Sequence, residues 1–225
     1  MGGVAGGGTA LTRMRRLTFG PPGPLHFLAV GAHPDDIEIG AGATILRLLA
    51  EHPGSTILWV VACATPDRAG EARASAAAFS ANAASVEIII GDLPDGWLAA
   101  ASTAVKDLLE SVKDRPIDVI LAPYVEDAHQ DHRLVAETVW QTFRHHLIAA
   151  YEIPKYDGDL GRPNLFVDVD EATLQRKIDL LETHFPSQHD RSWWGADTFR
   201  AIVRLRGIEA ATRYAEGFHC RKLVL

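Results

Sequence analysis

Two short segments concentrate the chemistry of this 225-residue chain: His33-Pro34-Asp35-Asp36-Ile37-Glu38 and Asp127-Ala128-His129-Gln130-Asp131-His132. Each mixes imidazole and carboxylate within a few positions, the composition of a metal site. Two imidazoles and one carboxylate, with a position left for water, is the pattern of catalytic zinc, and Fe2+ and Co2+ accept the same ligands. A surplus carboxylate beside such an ion can serve as base. A surplus histidine can stabilise an oxyanion or protonate a leaving group. Together they predict metal-assisted hydrolysis of an amide or ester.

These segments need a scaffold that brings them together. Leu25 to Val30 is a short apolar run ending at Gly31, and the first segment follows it directly. Thr56 to Ala62, Val86 to Ile90 and Asp118 to Ala122 read as further strands, Thr56 to Ala62 being continuous and rich in β-branched residues, as expected when both faces are buried. Between and after them, Ile39–Leu49, Gly70–Ala84, Ala99–Lys113 and Leu134–His146 carry helical patterns. Four β-α units in succession predict an α/β, Rossmann-like, mainly parallel sheet with helices on both faces. If the first three strands run outward in order 3-2-1 and the fourth returns beside the first, the two segments meet at the switch point, where such sheets bind ligands. Beyond Ala149 the pattern is less regular, with a strand at Phe166–Val169 and helices at Glu171–Thr183 and Thr198–Tyr214. This part is read as a C-terminal elaboration of a single domain, 25–225.

Composition narrows the function classes. Residues 1–24 hold seven glycines, three prolines and three arginines but no acid, and are expected to form a disordered tail. The remainder carries 19 bases against 29 acids, a net charge of −10 that should repel nucleic acid and anionic membranes. The longest apolar run, Ile57 to Ala64, has eight residues, against about 18 for a membrane helix. Two cysteines, Cys63 and Cys220, exclude a disulfide-rich scaffold. A cytoplasmic protein with neither nucleic acid nor membrane as partner is expected. No Gly-x-Gly-x-x-Gly, P-loop or Gly-x-Ser-x-Gly motif occurs, which disfavours dinucleotide binding, nucleotide hydrolysis and a serine hydrolase.

His33-Pro34-Asp35-Asp36-Ile37-Glu38-Ile39-Gly40 followed by His129-Gln130-Asp131-His132 resembles the PIG-L/LmbE family of zinc-dependent N-acetyl-sugar deacetylases. Tyr151-Glu152-Ile153-Pro154, Phe166 to Val169, Ser187-Gln188 and Tyr214 to Phe218 occur in the family's order. The resemblance implies His33, Asp36 and His132 as metal ligands and Asp35 as general base. It implies His129 as the group acting on the tetrahedral intermediate or the amine, with Asp131 fixing its orientation. It also implies a homo-oligomer and a small N-acetylated sugar as substrate. Gln130 stands where proline is common, and Ala41 and Ala43 replace residues of the family's first motif, changes expected to affect only packing. Asp127 occupies a position that is tyrosine in some members.

Other residues complete the expectation. Arg68, Asp92, Asp127 and Gln188 are placed among substrate-binding residues, although turn and surface roles suit Arg68 and Asp92 equally. Trp193 and Trp194 are expected to close the core or a subunit contact in preference to walling a sugar ring. His145 and His146 are expected to complement a helix dipole, and Glu38 to stand behind the ligands or at a helix N-terminus. The function expected is removal of acetyl from an N-acetylated amino sugar, free, glycoconjugated or nucleotide-linked. An amidase acting on a thiol conjugate, or a non-catalytic metal-binding module on the same fold, are the alternatives.

Overall fold

The computed structural model describes residues 23–224; residues 1–22, nearly all of the expected tail, lie outside them. Seven strands form one sheet: β1 (His26–Gly31), β2 (Thr56–Val61), β3 (Ser85–Ile90), β4 (Val119–Pro123), β5 (Leu147–Tyr151), β6 (Leu165–Val169) and β7 (Tyr214–His219). Their spatial order is β3-β2-β1-β4-β5-β7-β6. The first five in that order are parallel, and β7 pairs antiparallel with both β5 and β6. The order therefore reverses between β1 and β4, as the α/β reading requires.

Alternation along the strands splits the core in two. Phe27, Ala29, Trp59 and Leu121 face one layer, with apolar residues of α1 (Asp36–Glu51), α2 (Pro66–Phe79), α5 (Glu171–His184) and α6 (Ala196–Glu209). Leu28, Val30, Val60 and Ile120 face the other, with α3 (Ser102–Glu110) and α4 (Gln130–Thr142). Trp194 sits in the first layer, edge-on to Phe185 and Phe199, and Trp193 packs at its border. Both thus serve packing. Ala41 and Ala43 are fully buried on α1, the packing role expected of them.

Several boundaries depart from the sequence reading. α1 starts at Asp36, not Ile39, so the first motif runs into the helix itself. Thr65 caps α2, with Pro66 in the first turn, and starts it four residues before Gly70; it ends at Phe79. A 3-10 turn, Leu98–Ala101, precedes a shorter α3. α4 begins at Gln130 and ends at Thr142 because His129 is its N-cap and Leu147 is already in β5, a strand the alanine-rich sequence concealed. His145 and His146 are therefore not at a helix end, and the dipole role is withdrawn; His146 meets the Phe143 ring instead. Tyr214 opens β7 and does not end a helix, since the chain turns at Ala211 in the left-handed region.

Candidate metal centre

The first motif leaves β1 through a tight turn. Asp35 adopts a left-handed conformation, φ 91°, uncommon for a residue with a side chain and costly by about 1–3 kcal/mol. It is the N-cap residue of α1, yet its carboxylate does not cap the helix. Oδ2 instead accepts from Arg68 Nη2 at 2.8 Å, and the same guanidinium donates to Pro34 O at 2.6 Å. The carboxylate stays buried, held by Arg68. One residue on, Asp36 Oδ2 accepts the backbone N–H groups of Ala32 and His33 at 2.9 and 2.8 Å. This leaves Oδ1 facing His132. Further along α1, Gly40 lies so close to Tyr151 that a Cβ would meet its ring at 2.2 Å, so only glycine fits. Tyr151 in turn donates to Val30 O at 2.7 Å, tying helix to strand.

The second motif caps and opens α4. His129 Nδ1 accepts from Asp131 N, and His129 N donates to Asp127 Oδ1 at 2.7 Å. Asp127 Oδ2 accepts from His132 Nδ1 at 3.0 Å and from Lys155 Nζ at 3.0 Å. Asp131 is fully buried: Oδ2 accepts from Gly96 N at 2.7 Å and Oδ1 from Leu98 N at 3.1 Å. Its carboxylate faces His33 Nε2 at 3.3 Å. The hydrogen bond to His129 comes from the backbone N–H of Asp131, whose carboxylate faces His33 and acts on His129 through its charge.

These partners favour one tautomer of each neutral ring. An ionised carboxylate only accepts, so Asp127 and Asp131 draw the proton to His132 Nδ1 and His33 Nε2. In the neutral rings His132 Nε2 and His33 Nδ1 then carry lone pairs. Those two atoms face each other at 3.1 Å. Asp36 completes a triangle of residues, but through different oxygens: Oδ1 lies 3.3 Å from His132 Nε2, and Oδ2, which already accepts two backbone N–H groups, lies 3.6 Å from His33 Nδ1. Tetrahedral bonds of 2.0–2.1 Å give ligand–ligand edges of about 3.3 Å. His33, Asp36 and His132 therefore fit a divalent ion in donor chemistry, and His132 Nε2 stands at ligand–ligand spacing from both His33 Nδ1 and Asp36 Oδ1. His129 belongs to the same cluster, the ring nitrogens of the three histidines lying within 4.8 Å of one another.

The electrostatics agree. Burial alone would lower the imidazole pKa values. It is outweighed for His33 by Asp131, Asp36 and Asp95, and for His132 by Asp36 and Asp127, which raise His132 to about 9. The pocket thus pulls positive charge between the rings, and one divalent ion answers where two imidazoliums at contact would repel. Asp35 is pushed up to about 7 by burial and by the Asp36 charge, against the opposing pull of Arg68. His129 is lowered by burial and by the neighbouring histidines.

The remaining expectations divide. Arg68 reaches the site, but as partner of Asp35; Asp127 reaches it as partner of His132. Asp92 is exposed, forming an antiparallel bridge to Cys63, and the residue of its turn that reaches the site is Asp95, with Oδ1 3.0 Å from His33 Nε2. Gln188 is buried and donates to Ser187 Oγ. Glu38 is buried with Oε1 unpaired among the described residues, and burial raises its pKa to about 8, which favours a neutral acid behind the ligands. Asp95, Lys155 and Cys63 were not singled out for the site by sequence. A second acid in the turn after β3 was the available signal for Asp95. None existed for Lys155, because the strand that delivers it was not recognised.

The comparisons follow this geometry. Residues 28–143, just over half of the chain, match the model of the PIG-L family, described as GlcNAc-PI de-N-acetylase. A conserved protein of Thermus thermophilus aligns with TM-score 0.70 and 22% identity, over 89% of this chain and 96% of that one. The N,N'-diacetylchitobiose deacetylase of Pyrococcus horikoshii aligns with TM-score 0.61 and 22% identity, over 87% and 83%. The 4-carboxy-2-hydroxymuconate hydratase of Pseudomonas putida aligns with TM-score 0.69 and 16% identity, over 89% and 98%. At these identities the likeness is one of fold, and that fold carries both a deacetylase and a hydratase. The family match spans β1 through α4, both motifs and every residue of the metal triangle, and it identifies the chain as a member of the PIG-L family.

Proposed function

We propose that this protein is a metal-dependent deacetylase that hydrolyses the acetamide of an N-acetylated amino sugar, free or within a conjugate. The observation that carries the reading is that His132 Nε2 stands 3.1 Å from His33 Nδ1 and 3.3 Å from Asp36 Oδ1, with the buried, Arg68-held carboxylate of Asp35 on the preceding residue. His33, Asp36 and His132 would hold the ion, with Zn2+ the first candidate and Fe2+ or Co2+ compatible. When bound, the ion supplies Lewis-acid polarisation and a water acidified toward pKa ~7.

The chain's own residues supply the rest. Asp35, near pKa 7, is matched to take a proton from the attacking water at neutral pH and return it to the departing amine. Arg68 keeps its carboxylate aimed and partly ionised. In neutral His129 the N–H of Asp131 occupies Nδ1, so the proton sits on Nε2, a donor for the oxyanion that forms at the acetyl carbon. Water adds to the carbonyl, the C–N bond breaks, and acetate and a primary amine leave. Both cysteines are free, in keeping with a reducing cytoplasm, and assembly into a homo-oligomer is part of the same reading. Among the described residues no helix is long and apolar enough to cross a membrane.

Acetate release by zinc-loaded protein, across N-acetylglucosamine derivatives that include nucleotide-linked sugars, is the test. Release that chelator stops and metal restores is the expected result. A protein that binds one ion per chain and releases acetate from none of them overturns the reading in favour of another amide, another reaction or a binding role.

A further inference from the structure

We propose that the outer side of His33 is a second, inhibitory metal site, which takes a thiophilic divalent cation such as Zn2+ or Cd2+ once the first site is filled. It lies on the opposite ring nitrogen from the triangle described above. Asp95 Oδ1 stands 3.0 Å from His33 Nε2 and Asp131 Oδ2 3.3 Å. Cys63 Sγ, at the end of β2, completes the group, and all four ligand atoms lie within 4.8 Å of one another. Four donors of the types that bind zinc thus come from four separate segments.

The arrangement exceeds what His33 needs. One N–H is satisfied by one acceptor, and Asp131 already provides it, fixed by the N–H groups of Gly96 and Leu98. Asp95 adds a second carboxylate to the same nitrogen from a turn whose side chain is 61% exposed. Two negative charges around one N–H, above a thiol, are excess acceptors for a hydrogen bond and a complete set for a cation. The exposed Asp95 also gives an ion its way in. Cys63 Sγ donates to the Ala32 carbonyl at 2.9 Å, a weak bond that a metal replaces readily, and the same thiol neighbours His33.

Binding releases two protons, from Cys63 Sγ and from His33 Nε2, and the His33 ring then bridges two ions. A second ion there would withdraw electron density from Nδ1 and draw on the buried Asp131 carboxylate that orients His33, together with the exposed Asp95. Turnover should therefore fall as metal exceeds one equivalent.

Titration of the metal-free protein with Co2+ tests this without depending on catalysis. Two equivalents per chain are expected, the second at least tenfold weaker and bringing a thiolate-to-cobalt charge-transfer band in the near ultraviolet. Cys63→Ser and Cys63→Ala should lose the band and the second equivalent while keeping the first. Asp95→Asn, on the exposed turn, should weaken the second step at least tenfold. In a working deacetylase, inhibition by excess Zn2+ should vanish in Cys63→Ser. One equivalent at saturation with no thiolate band, or a band that persists without Cys63, overturns the site. A second equivalent that leaves turnover unchanged overturns its inhibitory role. Absence of deacetylation alone bears only on the proposed function.

Discussion

Buried charge occurs in two regions of this molecule and behaves differently in each. Under α5 and β7, Lys177 Nζ donates at 2.6 Å both to Glu216 Oε1 and to Ile39 O. Glu216 in turn accepts from Ala43 N at 3.0 Å and Thr44 N at 2.7 Å, in the middle of α1. A helix N–H ordinarily donates four residues back, so the ion pair is spliced into the ladder of α1 at the point where Ile39 and Ala43 would meet. Nearby, Arg206 forms a two-pronged pair with Glu152, both bonds 2.9 Å, and donates to Gly161 O. Every charge there faces its opposite. At the ends of β1 and β4, by contrast, ring nitrogen faces ring nitrogen at 3.1 Å, and four carboxylates crowd around two imidazoles. Complete pairing marks architecture; incomplete pairing marks a place kept for a ligand.

That contrast can be broken by experiment. The largest effect is expected for Asp35→Asn, which should lower acetate release by about 10²–10⁴-fold while leaving metal content unchanged. Near wild-type turnover would remove Asp35 as base. Lys177→Met should cost about 3–5 kcal/mol, because it leaves a buried carboxylate unpaired, and thermal unfolding should show a fall of roughly 10 °C. An unchanged melting temperature would mean that the splice does not hold α1. Asp127→Asn should weaken metal binding by about 10–100-fold in a chelator competition, since it loosens the orientation of His132, with little change in melting of the metal-free protein. Equal losses in both measurements would place Asp127 with the architecture.

The smallest effect is a pH dependence. Burial would raise the pKa of Glu152, but His219, Arg206 and the Gly161 N–H outweigh it and hold it below its ordinary 4.5. A depressed carboxyl stabilises the fold above its unfolded pKa and loses that contribution as pH falls through the folded value. Glu152→Gln should therefore melt below wild type at pH 7, with the gap closing as pH drops below about 4. A gap constant from pH 7 to pH 3 would show that the pair contributes through shape alone.

The sequence reveals this architecture where one physical signal dominates. β1, β2 and β4 are continuous apolar runs because both faces are buried, and the order around the switch point follows from parallel crossovers. The metal triangle is legible because its ligands fall in two short His/Asp motifs that follow the ends of β1 and β4. β7 is illegible for specific reasons. Glu216 points inward to Lys177, and Gly217 is required because a Cβ would strike Pro163 at 2.9 Å, so strand alternation is broken twice in succession. β5 is concealed by Ala149-Ala150, whose burial comes from neighbours and not from their own apolar bulk. The partner of the Asp131 carboxylate could not be read either, since it depends on which way a side chain leaves the first turn of α4. Lys155 reaches Asp127 only through the loop that follows the concealed strand.

The splice in α1 also sets an order of events during synthesis. Every residue of the metal triangle has emerged by His132, yet the N–H groups of Ala43 and Thr44 wait for a partner 172–173 positions away. Such distant contacts form late, after the local β-α units. A nascent chain therefore carries all three ligands while α1, which bears Asp36, still lacks its bonds to Glu216, and the arrival of β7 between β5 and β6 supplies them. Metal capture should accordingly be a late step of maturation, gated by the half of the chain that contributes no ligand.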